Sequence, residues 1–174
     1  VLFAFLAPYL QSEMEASKQQ LISYYFLFGA AAIGGGYLGG WLSDKLGVIH
    51  ALIGVPIVFM LFLVAIPFTI SNIWLFVPCM MLWGGLSWTI SPIVQNYLIH
   101  SDPANAGVSI GINNSSMHLG VALGALLGGL VIKLGSVSCA PWFGALVVLL
   151  SVLCAFYSSR QQLVDQSGQP LCEL

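Results

Sequence analysis

Residues 35 to 47, GGYLGGWLSDKLG, end a glycine-rich apolar run with an acid and a base, Asp44 and Lys45, and a second apolar run begins directly afterwards. The 174-residue chain is 59% hydrophobic and only 6% charged, whereas about a quarter of the residues in a soluble domain are charged. Apolar windows of about twenty residues, the length that crosses a bilayer as a helix, recur between short polar breaks. The sequence therefore predicts an all-α, polytopic membrane helix bundle.

The polar breaks divide the chain into a truncated first helix and five complete spans. The N-terminal stretch VLFAFLAPYLQ has neither a basic segment nor a small-residue cleavage site, so it is typical of a helix cut at its start rather than of a signal peptide. Next, Ser12 and Glu15 have the spacing of a capping box, which predicts that they start the second helix. The predicted transmembrane domain covers 1–160, with spans at about 1–11, 19–42, 48–69, 73–99, 104–132 and 138–159, and 161–174 form a polar tail.

Two glycine-rich segments indicate an internal repeat. GYLGGWLSDKLG at 36–47 is similar to GALLGGLVIKLG at 124–135, and both end in Lys-Leu-Gly. Each copy closes the second helix of a three-helix group. Because three is odd, the second group crosses the membrane in the opposite sense to the first. The pattern favours a 3+3 inverted repeat, a common plan of secondary transporters, over a chance similarity between glycine-rich helices.

The charged pair in the opening stretch has two interpretations. In the first, Asp44 and Lys45 belong to a solvated turn between two spans, where the wet headgroup region tolerates charge. In the second, Asp44 accepts hydrogen bonds from the N-terminus of a neighbouring helix and so latches one conformation. Spacing alone favours neither.

The same stretch resembles the G-x-L-x-D-[RK]-x-G signature of the major facilitator superfamily, which lies in the loop between the second and third helices of each half. The matching residues are Gly40, Leu42, Asp44, Lys45 and Gly47. Val48 departs from the pattern, because the family usually has a basic residue there. This departure favours the weaker copy of the motif, in the second half of such a transporter, and the resemblance implies that the residues act in gating.

The resemblance extends over most of the chain. FLAPYLQ is similar to the seventh helix of drug and sugar efflux members, and 91–132 is similar to their tenth-helix end, loop and eleventh helix. The nearest likeness is the proton-coupled branch that includes arabinose-type sugar exporters. It implies the C-terminal six-helix half of a twelve-helix transporter in a bacterial inner membrane, with the Asp44 end and the tail on the cytoplasmic side.

The resemblance also implies a function and a set of partners. The function is efflux of a small organic molecule, drug- or sugar-like, by proton antiport with alternating access. The partners are the substrate, protons, the lipid bilayer and an N-terminal half of the transporter. The alternative is a truncated membrane protein that transports nothing, or an assembly partner.

The fifth predicted span contains His118, the only strongly ionisable side chain near the middle of a span. It shares a helix face with Gly111, Asn114 and Ser115, and intramembrane ionisable groups mostly face an interior. Asn114 and His118 are therefore candidate substrate-binding residues. Three roles stay open for His118: binding substrate, relaying a proton near neutral pH, and hydrogen bonding to a neighbouring helix. Many members of the major facilitator superfamily, which the chain resembles, have asparagine at the matching position, and this favours hydrogen bonding over charge.

Small residues occupy the other side of the fifth span. Gly120, Gly124 and Gly128 recur every four positions, which lets another helix approach closely. This face is predicted to serve helix packing.

The fourth span offers a second candidate face. Trp88, Ser91 and Gln95 lie within a narrow arc beside Pro92, and proline in a membrane helix is tolerated where the helix borders a cavity. An aromatic ring and an amide suit an amphipathic or sugar-like ligand. The sequence supports a second interpretation equally well, in which Gln95 hydrogen-bonds a neighbouring helix and Trp88 faces lipid. Tyr25 either belongs to the mouth of the same cavity or anchors the span at the interface.

Several classes of function are disfavoured by the sequence. It has no metal-ligand cluster, no nucleophile beside a base and no phosphate-binding loop, so no enzymatic activity, metal or cofactor is expected. A net charge of −2 without a basic cluster argues against binding to nucleic acid. A small channel is disfavoured because no span carries a filter-like or ring-forming charged stretch.

Overall fold

The computed structural model describes the backbone of residues 2–168 and the side chains of residues 2–157. Within these residues the structure contains helices and no strand, so the predicted all-α architecture is confirmed. The α-helices are α1 (Leu6–Met14), α2 (Lys18–Leu46), α3 (Val48–Thr69), α4 (Ile73–Ser101), α5 (Ala106–Leu134) and α6 (Ala140–Gly168). Short 3-10 helices, Leu2–Phe5, Pro103–Asn105 and Val137–Cys139, precede α1, α5 and α6.

Five helical segments are long and apolar enough to cross a membrane. They are α2, α3, α4, the segment Pro103–Leu134 that contains α5, and Val137–Tyr157, which contains the first part of α6. The backbone of α6 continues to Gly168, so the polar tail predicted from residue 161 begins inside this helix, and residues 169–174 lie outside the described part.

The start of α2 differs from the prediction. Ser12 and Glu15 do not begin the helix: Ser12 lies in α1, and Glu15 follows α1 with a left-handed φ of 49°. The capping box is formed by Ser17 and Gln20 instead. The backbone N–H of Ser17 donates to Gln20 Oε1 at 2.8 Å, and the backbone N–H of Gln20 donates to Ser17 Oγ at 3.3 Å. Both pairs fit the capping-box spacing. The left-handed backbone of Glu15 ends α1 at that point, so Ser17 and not Ser12 precedes the first turn of α2.

Replacing Ser17 by alanine should destabilise the protein by about 1 kcal/mol, because the first turn of α2 loses its side-chain acceptor. Thermal unfolding of the purified protein would show this as a lowered midpoint. Ser12→Ala is the matched control, since the exposed Ser12 does not cap α2. Equal midpoints for the two variants would contradict the observed cap.

The end of α2 gives Asp44 and Lys45 a different setting from the loop considered above. Both residues are exposed in the last turn of the helix, which continues to Leu46. Gly47 then has a φ of 81°, and α3 begins at the next residue. Because L side chains rarely adopt a positive φ, glycine is the residue that permits this reversal.

The closest helix contact in the described bundle joins α2 and α4. A Cβ added to Gly35 would overlap the carbonyl of Gly85, and one added to Gly39 would lie 2.5 Å from the carbonyl oxygen of Thr89. The two backbones therefore touch, which is the arrangement that small residues permit between membrane helices.

Two polar contacts reinforce this packing. The buried hydroxyl of Thr89 lies 2.9 Å from the carbonyl oxygen of Gly35 on α2 and 2.9 Å from that of Gly85 on its own helix, and shares its one proton between them. Two turns further along α4, Asn96 Nδ2 donates to Ser43 Oγ at 3.1 Å. Each contact is made between partly or fully buried groups, and therefore ties α2 to α4 at a defined register.

Thr89→Val should destabilise the bundle by about 1 kcal/mol, because it keeps the side-chain shape and removes the interhelical donor. The matched control is Thr69→Val, since the Thr69 hydroxyl bonds Ile66 within its own helix. Chemical denaturation in a mild detergent compares the two variants with the parent. A larger loss for the Thr69 variant would contradict a stabilising role of the interhelical bond.

The remaining packing is uneven. The fully buried large side chains come mainly from α1, α3 and α4, among them Tyr9, Leu63, Ile66, Phe76 and Met80. Helix α5 contributes only Gly128 to the buried residues of the described structure. One long, apolar helix is thus left largely uncovered.

Candidate functional site

An aromatic stack joins the N-terminal segment, α2 and α4. Phe28 of α2 is central: its ring centroid lies 4.8 Å from that of Phe3 and 5.2 Å from that of Trp83, and Phe3 lies 5.9 Å from Tyr25. Gly84 makes room for Phe28, since an added Cβ there would be 2.7 Å from Phe28 Cδ2. The four rings stand at separations typical of favourable aromatic pairs.

A pocket of about 390 Å³ borders this stack. Its lining residues are Phe3, Tyr25, Phe28, Gly29, Ala32, Ile33 and Trp88. We call it the aromatic pocket. Trp88 is 57% exposed, so the pocket opens to the outside of the described bundle. The structure therefore brings together Tyr25 and Trp88, which the sequence had suggested for one cavity.

Ser91 and Gln95 stand apart from this pocket. Gln95 Nε2 donates to Ser91 Oγ at 3.3 Å, and neither residue lines the aromatic pocket. The Gln95 amide and the Ser91 hydroxyl therefore partly satisfy each other's hydrogen-bonding capacity on one face of α4. A substrate contact by Ser91 or Gln95 remains a prediction.

The polar residues of α5 lie at its weakly covered side. His118 and Ser115 are exposed, Asn114 is half-buried, and the Ser115 hydroxyl donates to the carbonyl of Gly111 at 3.0 Å within the helix. Exposed here means uncovered by the described residues. The proposed roles of Asn114 and His118 therefore depend on what covers α5.

The three α5 glycines that were predicted to serve helix packing differ in their surroundings. Gly128 is buried and Gly124 is half-buried, whereas a Cβ on Gly120 would meet nothing within 4 Å. The side of α5 turned toward the bundle includes Gly128 as well as the half-buried Asn114, so the polar and small residues are not segregated. Packing through Gly120 and Gly124 stays a prediction.

The residues of the motif lie together at one end of the bundle. Gly40 has open space at its Cβ position, Gly47 makes the turn, and the exposed Asp44 has no hydrogen bond or ion pair within the described residues. The helix N-terminus required by the latch interpretation is thus not supplied by this part of the chain, and the gating role stays a prediction.

The sequence analysis missed Phe3 and Phe28. A signal for the α2 wall was present, because Tyr25, Phe28, Gly29 and Ala32 recur at the spacing of one helix face. Behind Phe28, the buried indole nitrogen of Trp83 has no hydrogen-bond partner among the described residues. A contact between Phe3 and Phe28 joins two different helical segments, so spacing along one helix does not reveal it.

The protein has several helices that are long enough to cross a membrane, two of which touch through their backbones beside the aromatic pocket. These features define a multi-pass helical membrane protein. The family model described as Major Facilitator Superfamily matches residues 1–171. The chain belongs to this family, and the resemblance carried by the glycine–aspartate motif is confirmed.

The chain is similar to transport proteins of two bacteria. "Inner membrane transport protein YdhP" of Escherichia coli (strain K12) is 33% identical over 162 residues, which cover 92% of this chain and 41% of that protein. "Uncharacterized MFS-type transporter YbcL" of Bacillus subtilis (strain 168) is 27% identical over 172 residues, 97% of this chain and 44% of that protein. No solved structure matches the chain. The chain is an integral, multi-pass membrane protein, and it spans less than half the length of these relatives.

Proposed function

We propose that the chain is the C-terminal half of an efflux transporter and exports a small organic molecule in exchange for protons. The observation that carries this proposal is the family match over 1–171 combined with coverage of only 41% and 44% of two relatives. A second helical half, in the same polypeptide or a separate one, completes the transporter.

The uncovered face of α5 supports a partner half. Asn114, Ser115 and His118 are polar groups at membrane depth, and polar groups there are costly when they face lipid. A second half that borders this face gives them a protein or water-filled surface instead. The weak cover of α5 by the described bundle is consistent with such a partner.

Alternating access then consists of rocking the two halves about a site near the middle of the membrane. The tightly packed pair α2 and α4 moves as a rigid unit, because its backbones are in contact through Gly35 and Gly39. In this proposal the exposed Asp44, in the last turn of α2, bonds a helix N-terminus of the other half in one of the two states.

Efflux from cells tests this proposal. Cells that express the native gene and cells that lack it are loaded with a panel of neutral aromatic compounds, organic cations and pentoses, and the retained amounts are compared. We expect lower retention of at least one compound in the expressing cells, and loss of that difference when a protonophore collapses the proton gradient. Equal retention of every compound favours the alternative, a truncated protein or assembly partner without transport.

A further inference from the structure

We propose that the aromatic pocket is the substrate site and that its substrate is a small, uncharged aromatic molecule rather than a sugar. The substrate role rests on the proposed function, whereas the ligand class follows from the pocket itself. The pocket volume of about 390 Å³ lies within the range of small-molecule sites.

The lining of the pocket selects against sugars. None of its residues is charged, and none carries a side-chain amide. The side-chain polar groups of the lining are the Tyr25 hydroxyl and the Trp88 indole N–H. A sugar has a hydroxyl on nearly every carbon, and each hydroxyl removed from water without a new partner costs free energy. The lining formed by the described residues therefore offers few hydrogen-bond partners to the hydroxyls of a bound sugar.

The side-chain amide of Gln95, which would suit a sugar, lies outside the aromatic pocket. Gln95 bonds Ser91 instead of lining the pocket. The aromatic pocket itself therefore offers no side-chain amide to a sugar-like ligand.

The shape of the pocket favours a flat ring. Phe28 is held between Phe3 and Trp83 and lies on the backbone of α4 at Gly84, where a larger residue would displace it. Its ring is therefore a fixed wall. Aromatic walls with little conformational freedom bind aromatic ligands by stacked or edge contacts at low entropic cost.

The absence of a charged lining residue argues against ions. A charged ligand that leaves water needs an opposite charge or several hydrogen bonds. Contact between a cation and the rings of Tyr25 and Trp88 offers partial compensation, so a permanent organic cation is the sharpest competitor to test.

Binding of N-phenyl-1-naphthylamine, a neutral aromatic fluorophore, tests the inference on the purified full-length native protein in nanodiscs. The decisive variant is Gly29→Val. Gly29 lines the pocket, and a Cβ there meets nothing within 4 Å, so the added methyl groups occupy the pocket without a clash. The matched control is Gly34→Val on the same helix, because Gly34 has equally open surroundings and does not line the pocket.

We expect saturable binding that weakens about tenfold or more in Gly29→Val and changes less than about twofold in Gly34→Val. We also expect that arabinose does not displace the fluorophore and that ethidium, a permanent cation, displaces it much less than unlabelled neutral aromatics do. Absence of saturable binding, equal effects of the two variants, displacement by arabinose, or displacement by ethidium that is as strong as displacement by neutral aromatics would each overturn the inference.

The binding experiment separates this inference from the proposed function. Pentose efflux by a protein that does not bind the fluorophore would leave transport standing and overturn the ligand class. Binding that depends on Gly29, in a protein that exports nothing, would keep the ligand class and overturn transport.

Discussion

Replacing Gly35 by valine should abolish the folded bundle. The new side chain would overlap the carbonyl of Gly85 and separate the Thr89 hydroxyl from its acceptor on α2. Because the obstacle is backbone rather than a flexible side chain, relief requires moving one helix away from the other. Overpacking of this kind costs about 3 kcal/mol or more. Size-exclusion chromatography of the detergent-extracted protein should show aggregate in place of a symmetrical peak.

The control for this experiment is Gly34→Val, one residue away on the same helix. Gly34 has open space at the Cβ position, so the same change in helix propensity occurs there without a clash. We expect this variant to elute as the parent does. A Gly35→Val protein with the yield, elution and thermal midpoint of the parent would show that α2 and α4 do not pack as described.

Replacing His118 by leucine should reduce efflux about tenfold, whereas replacing it by asparagine should keep efflux within about twofold of the parent. The reason is that the family resemblance favours hydrogen bonding over charge for His118, and loss of one such bond costs about 1 kcal/mol or slightly more. Asparagine retains a donor and an acceptor but cannot carry a proton. Initial rates for the best-exported compound of the panel, at equal protein level in the membrane, give the comparison.

The pH profile of these variants separates the roles of His118. If hydrogen bonding is the role, the asparagine variant keeps the pH dependence of the parent. If the asparagine and leucine variants lose efflux equally, the titratable proton of the histidine is required, and the hydrogen-bonding role is contradicted.

The helices could be predicted from the sequence because their cause is local. Long apolar segments separated by short polar breaks must become helices in a bilayer, where every backbone group needs an internal partner. The helix pairing was harder to predict. Six glycines lie between residues 29 and 40 of α2, and their spacing alone does not show that Gly35 and Gly39 are the contacts. That choice depends on Gly85, Thr89 and Pro92 across the interface.

The candidate site was predictable only in part for the same reason. Tyr25 and Trp88 were proposed from their types and their positions in spans, and both line the pocket. Phe3 and Phe28 were missed because their contact joins separate helical segments. The pairing of Gln95 with Ser91 follows an interval of four residues, which a helix allows but does not require.

The proposed inverted repeat offers a physical reason for the weak cover of α5. In such a repeat, α5 corresponds to α2, and α1 corresponds to α4. Whereas α4 has 29 residues, α1 has nine. A Cβ added to Gly129 of α5 would lie 3.6 Å from Phe5, in the 3-10 helix that precedes α1. In the proposed transporter, the second half covers Gly120 and Gly124.

The mass of the native assembly tests most directly whether this chain works as one half of a transporter. The product is purified from its own membranes with an antibody against residues 161–174, and its intact mass is measured by native mass spectrometry. We expect a complex more than about twice the mass of this chain, formed by one polypeptide or by this chain with a different membrane protein, because the chain covers 41% of a relative. The chain alone, or a complex that contains only copies of it, would contradict a two-half transporter.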